Sequence, residues 1–280
     1  MELTLQNEAS GQTAANRGGQ AGVTLLGSGS RGNALVVHGE RGSLLIDAGF
    51  SLKQTLTRMQ ECGIDIDTVG AILVSHEHGD HVRGVGVVSR RMRVPVFCNR
   101  AAAGAIRERG LDGRGAINIF SAGGSFDFDE FRVTPFSVPH DARDTVGFSI
   151  DIGSFRIGVA TDLGHATQPV LHHLRECDIL VVESNHDPAM LRNSRRPWPV
   201  KQRINGRHGH LSNEDCMQLL QKVVAPRTRH VIMAHASEEC NRYELVGDLA
   251  GQCLESMGRA DVAVGIGRQD RPLPTCFVGG

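Results

Sequence analysis

Val74-Ser75-His76-Glu77-His78-Gly79-Asp80-His81 sets three imidazoles and the carboxylate of Asp80 within six residues, directly behind the apolar run Ala71-Ile72-Leu73-Val74. A run of that kind, closing on polar residues and Gly79, predicts a buried strand that ends in a tight loop. The loop presents His76 and His78 on one side and Asp80 and His81 on another. Neutral imidazole nitrogens and carboxylates are the ligands that borderline divalent metals such as zinc prefer. Two short chelating pairs at this spacing point to two adjacent metal ions. A solvated histidine-rich loop or one structural zinc site is the competing reading. A structural site more often uses cysteine, and none lies nearby.

Upstream of the loop, residues 23–26, 34–38 and 43–46 predict a short β-meander. Its first connection is Gly27-Ser28-Gly29-Ser30-Arg31-Gly32-Asn33. The glycines there permit close approach to a ligand, and serial N–H groups can hold an anion; a plain connector is an equal reading. Asp47 closes the third strand, where it either orients a metal-binding histidine or caps the next helix. Leu52, Leu56 and Met59 place that helix over 51–62. Downstream, a helix is expected over 82–92 in spite of Gly84 and Gly86, then a strand at 94–97, a helix at 101–109 and a strand at 117–120. Period-two alternation predicts hairpins over 126–136 and 146–160. A helix at 169–176, a buried strand at 179–182 and a helix from the capping box Ser212-Asn213-Glu214-Asp215 to 224 follow. A strand at 230–234, a helix at 244–257 and a strand near 262–264 complete the pattern.

A chain of 280 residues, 40% apolar and 22% charged, can bury a sizeable core. Its formal net charge of -1 argues against a globally basic nucleic-acid binder, so any basic surface is local. One such strip exists: residues 188–213 hold Arg192, Arg195, Arg196, Lys201, Arg203 and Arg207 and no carboxylate. The strip suits phosphates, although a charge run is often only a solvated face. It also holds the single tryptophan, Trp198, between two prolines. Trp198 either stacks on a base or wedges against the core, the commoner role. Seven scattered cysteines, without CxxC spacing, point to reduced thiols and a cytoplasmic location. No apolar run is long enough to cross a bilayer, so no membrane partner is expected. The polar first twenty residues predict a disordered tail over 1–20, ahead of a single domain over 21–280.

His76-Glu77-His78-Gly79-Asp80-His81 resembles the HxHxDH signature of the metallo-β-lactamase fold hydrolases. The resemblance implies an α/β fold, the αβ/βα four-layer sandwich of two mixed β-sheets. It further implies a ligand set: His76, His78 and His140 on one metal, Asp80, His81 and His235 on the second, and Asp162 between them. His140, Asp162 and His235 each follow an apolar strand, in the order the family requires. The β-lactamases of the fold carry cysteine where Asp162 stands, and the diiron members carry glutamate where His78 stands. Both positions here match the group with phosphodiesterases and glyoxalase-type thioesterases. In that group two divalent ions, zinc or manganese, lie about 3.5–4 Å apart and lower the pKa of a shared water. A leaving oxygen then needs a proton donor, for which His210, His165, His208 and His186 are available, the last two reading better as structural.

A narrower likeness rests on 28–33, 161–165, 183–187 and Gly209-His210-Leu211-Ser212-Asn213, which are similar to the YycJ/WalJ/VicX branch across residues 23–250. The branch implies a metal-dependent 5′-to-3′ exonuclease acting on DNA, with repair roles. By position it makes Asp80, Asp162, His210 and His165 the catalytic candidates. Ser28, Ser30, Asn33, Arg203, His210 and Ser212 become candidate substrate contacts, with Asp47 and Glu183 supporting the ligands from behind. The stretch from His235 to Asn241 departs from the usual His-Leu-Ser pattern, and Arg207-His208 makes its loop more basic. A hydrolase of a small cyclic phosphodiester or thioester is the alternative, and a non-catalytic metal module a second.

Overall fold

The computed structural model describes residues 19–112 and 116–279. The tail expected over 1–20 lies, up to residue 18, outside the described residues. The first half runs β1 (Ala21–Gly27), β2 (Ala34–His38), β3 (Ser43–Ile46), α1 (Leu52–Glu61), β4 (Val69–Leu73), α2 (Gly79–Val82), α3 (Val85–Met92), β5 (Val96–Cys98), α4 (Arg100–Glu108) and β6 (Ile117–Ile119). The second runs β7 (Phe126–Phe128), β8 (Phe131–Ser137), β9 (Val146–Ile152), β10 (Phe155–Ala160), α5 (Gln168–Leu174), β11 (Ile179–Glu183), α6 (Pro188–Asn193), α7 (Trp198–Ile204), α8 (Asn213–Val223), β12 (His230–Ala234), α9 (Tyr243–Ser256), β13 (Ala263–Ile266) and β14 (Leu273–Val278).

Among the described residues the strands form two seven-stranded sheets, ordered β14-β1-β2-β3-β4-β5-β6 and β13-β12-β11-β10-β9-β8-β7. Both are mixed. The meander β1-β2-β3 is antiparallel and continues in parallel through β4, β5 and β6. The hairpins β7-β8-β9-β10 are antiparallel and continue in parallel through β11, β12 and β13. Successive residues of a strand face opposite sides of its sheet, and here both sides are covered. In β3, Leu44 and Ile46 join the central core with Phe131, Phe148 and Val181, while Leu45 turns outward to Met59, Val88 and Ile106 of the helices. Leu180 and Val182 of β11 likewise turn outward to Leu171, Leu219 and Leu254. Burial on both faces is why these strands read as unbroken apolar runs. The result is the four-layer α/β sandwich expected from the sequence.

Three features depart from expectation. The helix expected over 82–92 is split into α2 and α3 at Gly84. Its N–H donates to the Ala48 carbonyl at 2.7 Å, and a Cβ there would lie 2.1 Å from the Phe50 carbonyl oxygen. The chain does not end with β13: β14 returns to pair antiparallel with β1 on the other sheet. The basic strip over 188–213 folds into α6 and α7, each with proline in its first turn, the position proline tolerates best.

One glycine ties the fold to the loop at 76–81. A Cβ on Gly49 would lie 1.6 Å from the Asp80 carbonyl oxygen and 2.6 Å from Asn33 N. Gly49→Ala therefore forces the Asp80 loop outward. We expect a loss of about 3 kcal/mol, a melting temperature lower by roughly 6–12 °C, and weaker divalent-metal binding. Differential scanning calorimetry with and without metal checks this; an unchanged melting temperature contradicts the packing.

Candidate metal centre

Seven side chains named from the sequence are brought together at one edge of the sandwich, where strands end. His76 and His78 lie on the loop after β4, and the single turn of α2 supplies Asp80 and His81. His140 follows β8, Asp162 follows β10 and His235 follows β12. Asp47 and Glu183 close β3 and β11 at the same edge. Asp47, Asp162 and His235 all adopt left-handed backbone, with φ of 59, 53 and 55°. That region is uncommon for residues other than glycine, and such backbone concentrates at functional sites.

Ligand atoms of His76, His78 and His140 lie within 4.8 Å of one another, as do those of Asp80, His81 and His235. His140 Nε2 is 3.3 Å from His78 Nδ1, and Asp80 Oδ2 is 3.5 Å from His81 Nε2 and 3.8 Å from His235 Nε2. Asp162 stands between the groups: Oδ2 is 3.1 Å from His81 Nε2 and Oδ1 is 3.7 Å from His140 Nε2.

Most imidazoles are held from behind. His81 Nδ1 donates to Asp47 Oδ2 at 2.7 Å, and His235 Nδ1 donates to Glu183 Oε1 at 2.8 Å. His140 Nδ1 donates to the Gly209 carbonyl at 3.0 Å. His76 Nδ1 donates to Ser75 Oγ at 3.0 Å, whose hydroxyl in turn donates to Asp47 Oδ2 at 2.8 Å. These partners engage Nδ1 of each ring and leave Nε2 turned toward the cluster, the usual support for metal-binding histidines. His76 Nε2, His235 Nε2 and Asp162 Oδ2 are buried with no hydrogen-bond partner among the described residues. His81 Nε2 faces Asp162 Oδ2 at 3.1 Å across the same cluster. Buried acceptors are seldom left unpaired, so the donor set fits divalent cations.

The electrostatics agree. Burial pushes the Asp162 carboxyl up, but His235 and His81 outweigh it and hold it well below the usual carboxylate range. Burial opposes charge on His81 and His235, yet Asp162, with Asp47 for the first and Asp80 and Glu183 for the second, lifts both well above the ordinary imidazole value. His76 goes the other way, driven down by burial and by His81. Burial raises Glu183 too, but His210 and His235 bring it down to about 2. A field that draws protons onto buried imidazoles draws a metal cation equally.

The remaining candidates divide. His210 sits beside the cluster, with Nδ1 donating to Glu183 Oε1 at 2.8 Å and lying 3.8 Å from Asp162 Oδ1. His165 is instead engaged by Arg207 through both nitrogens. Ser28 and Asn33 are only 2% and 5% exposed. Ser28 Oγ accepts the His235 N–H, and Asn33 Nδ2 reaches Asp80 Oδ2 at 3.2 Å and His81 Nε2 at 3.0 Å. Both hold the metal-facing residues in place of the substrate contact expected of them. Ser212 is likewise spent on capping α8, while Ser30 is exposed. Arg203 is exposed and pairs with Asp141. Asp141 was not singled out from the sequence, although its Oδ1 lies 3.2 Å from His140 Nε2 and 3.8 Å from His78 Nε2. Its position next to His140 was the one available signal.

The chain belongs to the β-lactamase superfamily: the family model described as the beta-lactamase superfamily domain matches residues 43–235. With this fold and donor set it is a metal-dependent hydrolase. Within that class it is similar to exodeoxyribonuclease YycJ of Bacillus anthracis, 35% identical over 238 residues, covering 84% of this chain and 89% of the relative. Exodeoxyribonuclease WalJ of Streptococcus pneumoniae is 31% identical over 248 residues, covering 87% and 90%. Among solved structures, the metallo-β-lactamase fold protein YhfI from Bacillus subtilis superposes with a TM-score of 0.69 at 14% identity, over 91% of this chain and 99% of that one. Human tRNase Z, short form, gives 0.62 at 16%, over 90% and 98%. At those identities the structures speak for the fold alone.

Proposed function

We propose that the protein is a dinuclear metal-dependent phosphodiesterase that degrades DNA from its ends, as a 5′-to-3′ exonuclease, within one domain over 21–280. The observation that carries this reading is the pair of ligand groups sharing Asp162, with buried acceptors turned inward. His76, His78 and His140 would hold one cation, Asp80, His81 and His235 the other, and Asp162 both; zinc or manganese suits such nitrogen and oxygen donors. Metal held by these residues would supply an acidified water and neutralise charge on a phosphoryl group. In this reading His210, its Nδ1 fixed on Glu183, gives a proton from Nε2 to the leaving oxygen. Exposed Arg203 and its basic neighbours bind the phosphate backbone. The names of the two relatives support DNA as the substrate. Seven free thiols support a reducing compartment, the cytoplasm. Among the described residues no helix is long and apolar enough to cross a membrane.

The test is a paired assay on a 5′-phosphorylated duplex and on bis-p-nitrophenyl phosphate, after chelation and after return of zinc or manganese. Cleavage of both, lost on chelation and restored by metal, is the expected result. Cleavage of the small ester alone, without salt-sensitive DNA binding, favours a small-molecule phosphodiesterase and counts against the nuclease.

A further inference from the structure

The lone tryptophan does not wedge into the core. Trp198 is 66% exposed, the most exposed large apolar side chain among the described residues, and Val200 beside it is 36% exposed. Helix α7, which Trp198 opens, contains no buried residue at all. A free helix of seven residues is marginal in water, so tethers hold this one. Lys201 Nζ donates to the Arg192 carbonyl at 2.6 Å, Arg203 pairs with Asp141, and His210 N–H donates to the Ile204 carbonyl at 2.8 Å. Gly209 packs so tightly beneath α7 that a Cβ would lie 2.2 Å from the Arg203 and Ile204 carbonyls, and its own carbonyl holds His140 Nδ1. The helix carrying the exposed indole is therefore bolted to His210 and His140. Six residues separate Trp198 from Ile204, about 9 Å along the axis, or about three nucleotides at the roughly 3.4 Å rise of a stacked strand.

Within residues 188–213, the segment that carries the indole, the charge is of one sign, with Arg196 paired to Glu239 and Arg203 to Asp141 from outside it. Arg192, Arg195, Arg203 and Arg207 are exposed, and neither Arg192 nor Arg195 forms an ion pair among the described residues. A solvent-facing aromatic ring on a cationic segment, with no acidic neighbour on that segment, complements a polyanion that carries flat bases; a polyanion without them meets the same charge but leaves the ring wet. We propose that Trp198 is a base-stacking platform that positions a single strand of DNA, its phosphates on the surrounding arginines, for delivery to the metal centre. The inference rests on the DNA reading above.

Because Trp198 is the only tryptophan, its fluorescence reports the contact directly. The metal-loaded protein is titrated with a 5′-phosphorylated, phosphorothioate-linked oligonucleotide, which resists cleavage, and with an abasic oligonucleotide of equal length and charge. Strong quenching by the first and little by the second is expected. In the cleavage assay Trp198→Ala should raise KM for DNA about tenfold with kcat within about twofold, and Trp198→Phe should restore most of the loss. Melting temperatures equal to wild type show that both variants fold. Equal quenching by the abasic strand, or Trp198→Ala matching a DNA-cleaving wild type, overturns the stacking. A concentration-dependent blue shift without oligonucleotide places the indole between two copies of the chain and overturns it as well. A wild type that neither binds nor cuts DNA instead overturns the reading beneath it.

Discussion

Asp162→Asn is expected to lower phosphodiester cleavage at least a thousandfold, about 4 kcal/mol of transition-state stabilisation, while leaving the fold intact. Asp162 lies within reach of both ligand groups. Under the two-cation proposal, removing its charge removes the feature that would let both cations share a buried, imidazole-rich edge. Asparagine is chosen because φ at this position is 53°, a region asparagine tolerates nearly as well as aspartate. The loss is then electrostatic and not a backbone effect. Steady-state kinetics on bis-p-nitrophenyl phosphate, with circular dichroism as the control on folding, measures it. Retention of more than a tenth of the activity would remove Asp162 from the centre of the account.

Glu183→Gln should damage stability and activity together. The carboxylate is fully buried and accepts four hydrogen bonds: from His210 Nδ1 and His235 Nδ1 at 2.8 Å each, Leu163 N at 2.7 Å and Leu211 N at 3.1 Å. All four partners are donors. Glutamine offers one acceptor oxygen and turns an NH2 toward two of them, leaving buried N–H groups opposed and the charge on the imidazoles uncompensated. Breaking one side of a buried charge network costs about 3–5 kcal/mol, which for a chain of this size lowers the melting temperature by roughly 6–20 °C. Metal affinity should also fall about 10–100-fold, the usual consequence of losing a carboxylate behind a metal-binding histidine. Thermal melts and competition with a fluorescent chelator read the two effects separately. A variant that melts like wild type contradicts the burial, and one that melts early but binds metal normally contradicts the orienting role.

The architecture was legible because the pattern that signals a strand here is local. With both sheet faces covered, Ile72 and Leu73 or Val181 and Val182 need be apolar without alternation, and turn residues bound each run. The loop at 76–81 carries four inward groups in one short stretch, and His140, Asp162 and His235 each stand at a strand end. What escaped the sequence depends on distant partners. Gly84 breaks its helix only because Phe50 and Ala48 come so close, and β14 exists only through pairing with β1, over two hundred residues earlier. Ser28 and Asn33 sit in a glycine-rich connector that resembles a ligand loop, yet their polar atoms are consumed by His235, Asp80 and His81. Asp141 and Trp198 show the same limit from opposite sides. A single aspartate has no pattern to mark it, and a proline-flanked tryptophan suggests packing until the surface shows none.

Two cations held by seven side chains is the claim on which everything else stands, and it can be seen directly. Crystals of the protein loaded with manganese or zinc, with diffraction collected on either side of the metal absorption edge, should show two anomalous peaks: one among His76, His78 and His140, the other among Asp80, His81 and His235, with Asp162 touching both. A single peak at full loading, or peaks elsewhere on the molecule, contradicts it.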